Sequence, residues 1–165
     1  METRLKKVRA EVDRLIRELH PTNERFFYSH LHGVSHYCSL LALRRKLNVE
    51  IATITGMLHD IYPLYTGEFK DHAIKGAAYA KQLLETLDIF SDEEIQLITN
   101  AVYRHSNKRS IDEPYDELLK DADVMYHCLY DPGDPIREKE VERYYMLLVE
   151  LGCEISYDSL LEQVK

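Results

Sequence analysis

Apolar residues return every three or four positions along almost the whole 165-residue chain, and no segment keeps the two-residue alternation of a strand. A chain patterned in this way buries its apolar stripes by packing helix against helix. The pattern predicts an all-α fold, a single compact bundle of about six to eight helices spanning residues 1–165 as one domain. The first stripe carries Leu5, Val8, Val12, Leu15, Ile16 and Leu19 and ends at His20-Pro21. Further helices are expected over about Asn23–Leu47, Val49–Asp60, Asp71–Leu87, Ser91–His105, Tyr115–Leu129 and Arg137–Leu151, with a short one from Ser156. Ser91 with Glu94 three residues on forms a capping-box pattern, and Asp92 and Glu93 suit the positive end of the helix dipole. The stretch 61–70, with Pro63 and Gly67, reads as a loop, as does the polar stretch 106–113, and Asp131-Pro132-Gly133-Asp134-Pro135 is a strong breaker.

Hydrophobic residues make up 45% and charged residues 30%, which is neither a disordered nor a membrane composition. No apolar run approaches the ~20 residues that span a bilayer, so no membrane partner is expected. The opening METRLKKVRAEVDRLIREL has no uninterrupted apolar stretch and does not read as a signal peptide. Cys38, Cys128 and Cys153 are odd in number and widely spaced, which suits free thiols in a reducing cytoplasm. A formal net charge of −8 argues against a nucleic-acid polymer as partner. It leaves room for a small anionic substrate, because bound metal ions reverse the local sign of a pocket.

The chain has 8 histidines, and histidine is the commonest metal ligand. His30 shares a helical face with Val34, Tyr37 and Leu41, so its ring needs a partner, either a metal or a backbone carbonyl. The adjacent His59-Asp60 pair follows Ile51, Ile54, Met57 and Leu58; neighbours about 100° apart reach one ion only at a helix end. Asp123 shares a face with Leu119 and Tyr126, an inward stripe on which a carboxylate needs pairing, with Asp121 as the nearby alternative. His72 opens one expected helix and His105 closes another. His32 and His36 stand four apart, itself a ligand spacing, and are a rival first site. His36 otherwise reads as a pocket residue, and His20 and His127 as structural or exposed.

The stretch HLHGVSHYCSLLALRRKLNVEIATITGMLHDIYP (30–63), then DHAIKGAAYAKQLL, AVYRHSN and LLKDADVMY, resembles the HD-domain metal-dependent phosphohydrolases, landmark by landmark, over about residues 25–130. The resemblance implies a helical HD-type fold with His30, His59, Asp60 and Asp123 as shared metal ligands. His72 and His105 match two further histidines of subfamilies that hold two ions, nearest in pattern to bacterial hydrolases of diadenosine tetraphosphate. Many relatives carry Ala-Asp-Arg-Leu at the last landmark; here it is Ala122-Asp123-Val124-Met125, so the arginine is absent.

The mixed imidazole and carboxylate set suits Fe, Mn, Zn, Ni or Co, and Mg less well. Two ions would use all six ligands, with Asp60 between them and a metal-activated water as nucleophile. Asp60, Lys75 and Arg104 are the expected catalytic residues, the two cations preferred over Lys70, Lys108 and Arg109 as phosphate contacts. Tyr62 and Tyr65 are candidates to stack a nucleobase. The expected activity is hydrolysis of a phosphoester or phosphoanhydride in a nucleotide-like substrate by a cytoplasmic monomer or homodimer. A non-catalytic nucleotide- or metal-binding regulatory module is the alternative, and a metal-free helical interaction domain a third.

Overall fold

The computed structural model describes residues 3–19 and 22–164, and the expected break at His20-Pro21 lies outside them. Nine helices follow in order among the described residues: α1 (Arg4–Leu19), α2 (Glu24–Arg45), α3 (Val49–Leu58), α4 (Ile61–Thr66), α5 (His72–Leu87), α6 (Asp92–Arg104), α7 (Pro114–Tyr130), α8 (Val141–Glu150) and α9 (Tyr157–Leu161). The described residues contain no strand, only one isolated parallel bridge between Ile136 and Val164. None of their helices is long and apolar enough to cross a membrane.

Helix α3 is the centre. Every residue from Ile51 to Leu58 is buried, so it shows no polar face; α1, α2, α6 and α7 all pack on it. Asn48 starts α3 by accepting a hydrogen bond from the Ile51 N–H at 3.2 Å. The α2–α3 contact is close because Gly56 faces α2: a Cβ there would stand 2.8 Å from Cys38 Sγ and from Ser35 Cα. Helix α1 lays Val8, Val12, Leu15 and Ile16 on the core as its stripe predicts, whereas Leu19 is exposed. Arg4 staples it by binding Glu50 at 2.6 Å and Glu94 at 2.8 Å. The capping box of α6 forms as read, with Ser91 Oγ accepting from Glu94 N and the Glu94 carboxylate accepting from Ser91 N.

Two boundaries differ from expectation. Residues 61–66 are helical rather than loop, because Pro63 is the third residue of α4, where the missing N–H would have had no intrahelical acceptor. Gly67 then ends the turn at φ 73°. Helix α8 starts at Val141, not Arg137, because the Ile136 N–H donates to the Gln163 carbonyl at 2.8 Å and Arg137–Glu140 form a turn closed by Glu140 N to Arg137 O.

Candidate metal centre

Helix ends supply most of the site. His59 is the C-cap of α3 and Asp60 the N-cap of α4, so two adjacent residues at a helix junction turn toward one point. His72 is the first residue of α5, and His105 the C-cap of α6. His30 comes from the buried face of α2, and Asp123 from the buried face of α7. All but the partly exposed His72 are buried, none more than 6% exposed.

Three imidazoles are held alike. Nδ1–H donates to a carbonyl three residues back: His59 to Gly56 at 2.8 Å, His72 to Phe69 at 2.9 Å and His105 to Val102 at 2.6 Å. A carbonyl only accepts, so Nδ1 carries the proton and Nε2 of the neutral ring is a bare lone pair. These lone pairs converge. His72 Nε2 lies 3.1 Å from His105 Nε2, and both face Asp60 Oδ1, at 3.3 and 3.5 Å. His59 Nε2 lies 3.0 Å from His30 Nε2, which is 3.1 Å from Asp60 Oδ2. Asp123 Oδ1 is 3.9 Å from His59 Nε2. Asp60 Oδ1 and Asp123 Oδ1 are buried with no hydrogen-bond partner among the described residues.

The charge state suits a cation. Complete burial pushes the His59 pKa down to about 3, against the upward pull of the Asp60 and Asp123 carboxylates, so the ring is neutral and able to ligate. Asp123 stays ionised despite its burial, chiefly because the Lys108 ammonium lies 2.5 Å from its Oδ2. Nitrogen ligands about 2.1 Å from one ion stand about 3 Å apart when their bonds meet at a right angle. The observed spacings fit that requirement. The ligand atoms of His30, His59 and Asp60 lie within 4.8 Å of one another, as do those of His59, His105 and Asp123, and of Asp60, His72 and His105.

All six residues expected as metal ligands therefore come together. The expected cations do not. Arg104 binds Asp116 at 2.6 Å, and Lys75 lies against the Tyr62 ring and hydroxyl; neither lines the cavity of about 230 Å³ that opens onto the cluster. Lys108, Arg137 and Lys139 line it instead, beside Phe26, Phe69 and Tyr126. Lys70 and Arg109 are exposed outside it, and Tyr62 and Tyr65 pack on Tyr79 rather than on the cavity. The rival pair separates: His32 binds Asp13 of α1 at 2.7 Å, and His36 is exposed rather than a pocket residue. Asp121 is taken by Arg45 and Arg143 at 2.6 Å each. His127, expected to be structural or exposed, stands at the cavity with Nε2 3.3 Å from Asp123 Oδ1. Its four-residue spacing from Asp123 is the signal that could have revealed it. Glu140, beyond the breaker at 131–135, offered no such signal.

No curated protein matches the sequence. The crystal structure of a predicted HD superfamily hydrolase from an uncultured Thermotogales bacterium shares the fold, with a TM-score of 0.57, 24% identity, and coverage of 87% of this chain and 88% of that one. A model of the HD domain family matches residues 27–126, a span that holds all six converging residues and most of the helices that carry them. With its all-helical architecture and its histidine and aspartate cluster inside that span, the chain belongs to the HD domain family.

Proposed function

We propose that the chain is a metal-dependent phosphohydrolase that cleaves a phosphoester or phosphoanhydride bond of a nucleotide-like substrate with two divalent cations. The carrying observation is the His72–His105 pair. Two imidazoles whose Nδ1 protons are both committed to carbonyls face each other at 3.1 Å through lone pairs, beside a carboxylate oxygen that accepts no hydrogen bond among the described residues. Without a cation that arrangement sets electron pairs against each other, a cost a buried site does not carry without return.

His30, His59, Asp60 and Asp123 would hold one ion, and His72 and His105 the other, with Asp60 offering an oxygen to each. Bound there, the ions would supply Lewis-acid activation of water and of phosphate oxygens. Imidazole with carboxylate favours Mn, Fe, Zn, Ni or Co over Mg. Lys108 neutralises Asp123 Oδ2 and leaves Oδ1 facing the centre. Arg137 and Lys139 on the cavity wall suit phosphate oxygens beyond the cluster. Phe26 and Phe69 are each 51% exposed at that wall and offer faces for a base. The hydrolase described by the name of the Thermotogales protein is consistent with this reading.

The test is a substrate panel of dinucleoside polyphosphates, mononucleotides and cyclic dinucleotides with Mn²⁺, Fe²⁺ and Mg²⁺. Turnover by the wild type is expected, with loss in His59→Ala that added Mn²⁺ does not restore. Full activity in that variant rejects the site. A metal-loaded protein that binds nucleotides without turnover favours the regulatory module.

A further inference from the structure

We infer that His127 is an additional protein ligand at the ion held by His30 and Asp123, and that Glu140 is the residue that positions it. The inference rests on the cation-binding reading above but adds residues outside the span matched by the family. His127 follows Asp123 by one turn of α7, so both side chains leave the same face. Its ring stacks parallel to that of His30 across the α2–α7 contact, at 5.8 Å and 7°. Ligand atoms of His30, Asp123 and His127 all lie within 4.8 Å of one another.

The tautomer decides what His127 can do. Nδ1 lies 3.2 Å from Glu140 Oε1 and 3.0 Å from Arg137 Nη1. Glu140 is 1% exposed and its second oxygen has no hydrogen-bond partner among the described residues, so this carboxylate needs donors. The exposed Arg137 donates to Oε1 at 3.2 Å and also stands as a donor 3.0 Å from Nδ1, so it is the need of the buried carboxylate for a second donor that assigns the proton to Nδ1. With Nδ1 protonated, Nε2 is a lone pair 3.3 Å from Asp123 Oδ1, which accepts no hydrogen bond among the described residues. A carboxylate behind an imidazole that faces a cation is the arrangement that fixes the ring and raises its basicity. Here the carboxylate comes from the turn before α8, so the segment 131–140 orients His127, while the six residues of the cluster lie within 27–126.

The experiment uses the full chain stripped with chelator and titrated with Co²⁺, read by visible absorption and calorimetry, with metal-free thermal unfolding as the check on folding. His127→Ala is expected to change the Co²⁺ spectrum and weaken binding. Glu140→Gln, which keeps the shape, is expected to weaken it about 10–100-fold. His32→Ala, off the site, should match the wild type. If His127→Ala does not fold, Glu140→Gln decides. Wild-type spectrum and affinity in the folded His127 and Glu140 variants overturn this inference alone. A wild type that takes up no divalent cation removes the two-ion reading together with it.

Discussion

Replacing Gly56 with alanine drives a methyl group into the α2–α3 contact, and the cost can be worked from the distances. The new Cβ would stand 2.8 Å from Cys38 Sγ, 2.8 Å from Ser35 Cα and 3.0 Å from Ser35 N, where ordinary contact begins at 3.4 Å. The cysteine sulfur can rotate away, but the serine backbone cannot, so α2 must retreat by about 0.6 Å. Overpacking of this kind costs about 1–3 kcal/mol, and a clash with backbone belongs at the upper end. Alanine returns about 1 kcal/mol through its helix propensity. The net loss is about 2 kcal/mol, or a fall in Tm of about 4–8 °C for a chain of this size. The same retreat separates His30, on α2, from His59, whose Nδ1–H is tied to the Gly56 carbonyl. Divalent-cation affinity should therefore drop beyond what the stability loss accounts for. Urea unfolding in chelator and cation calorimetry read the two effects separately. A variant as stable as the wild type, with unchanged affinity, would show that the helix spacing is not what sets the site.

Leu84→Ala, at a fully buried position in the core under α1 and α5, should cost about 2–5 kcal/mol in urea unfolding while leaving cation affinity near wild type once folded. An equal loss of affinity there would show that any core damage detunes the centre. Acid should weaken the fold through Glu117 and Asp112. Burial raises the Glu117 pKa, but Lys120 and then Arg143 outweigh it, and the Asp112 pKa is lowered chiefly by Lys120. Folded values below the ordinary 4.5 and 3.8 mean the contribution is complete above about pH 4.5 and disappears as pH falls through the lowered values. The urea midpoint should fall on that acid limb, and Glu117→Gln should flatten it; an unflattened limb assigns the acid sensitivity elsewhere. Mn²⁺ at a hundred times its Kd should stabilise the chain by about 2.7 kcal/mol and raise Tm by about 5–10 °C in a thermal shift assay reversed by chelator. No shift with any transition-metal ion counts against the centre.

Most helices were legible because burial imposes a 3.6-residue period on the sequence, and Ser91-x-x-Glu94 marks its own helix start. Helix α4 was not, because Pro63 reads as a breaker unless its place in the first turn is known, and that place depends on where α3 ends. Of the six candidate ligands, His59, Asp60, His72 and His105 were legible at expected helix ends, and His30 and Asp123 as polar residues on inward stripes. The cationic wall was not, because nearness in sequence to a ligand does not set direction. Arg104 precedes His105 yet turns to Asp116, while Lys108, three residues past His105, turns inward to Asp123. Glu140 reaches His127 only because the chain returns after the 131–135 break, a tertiary event with no local signature.

The pairing of Ile136 with Gln163 and Val164 gives these two residues a reach well beyond their own position. Arg137, Lys139 and Glu140 follow that anchor directly, so the wall of the cavity is moored by residues 163–164. A substitution that loosens Gln163 or Val164 would therefore be felt at the rim of the cavity rather than only where it is made. At the other side of the bundle, Arg4 ties α1 to Glu50 of α3 and Glu94 of α6, away from that rim.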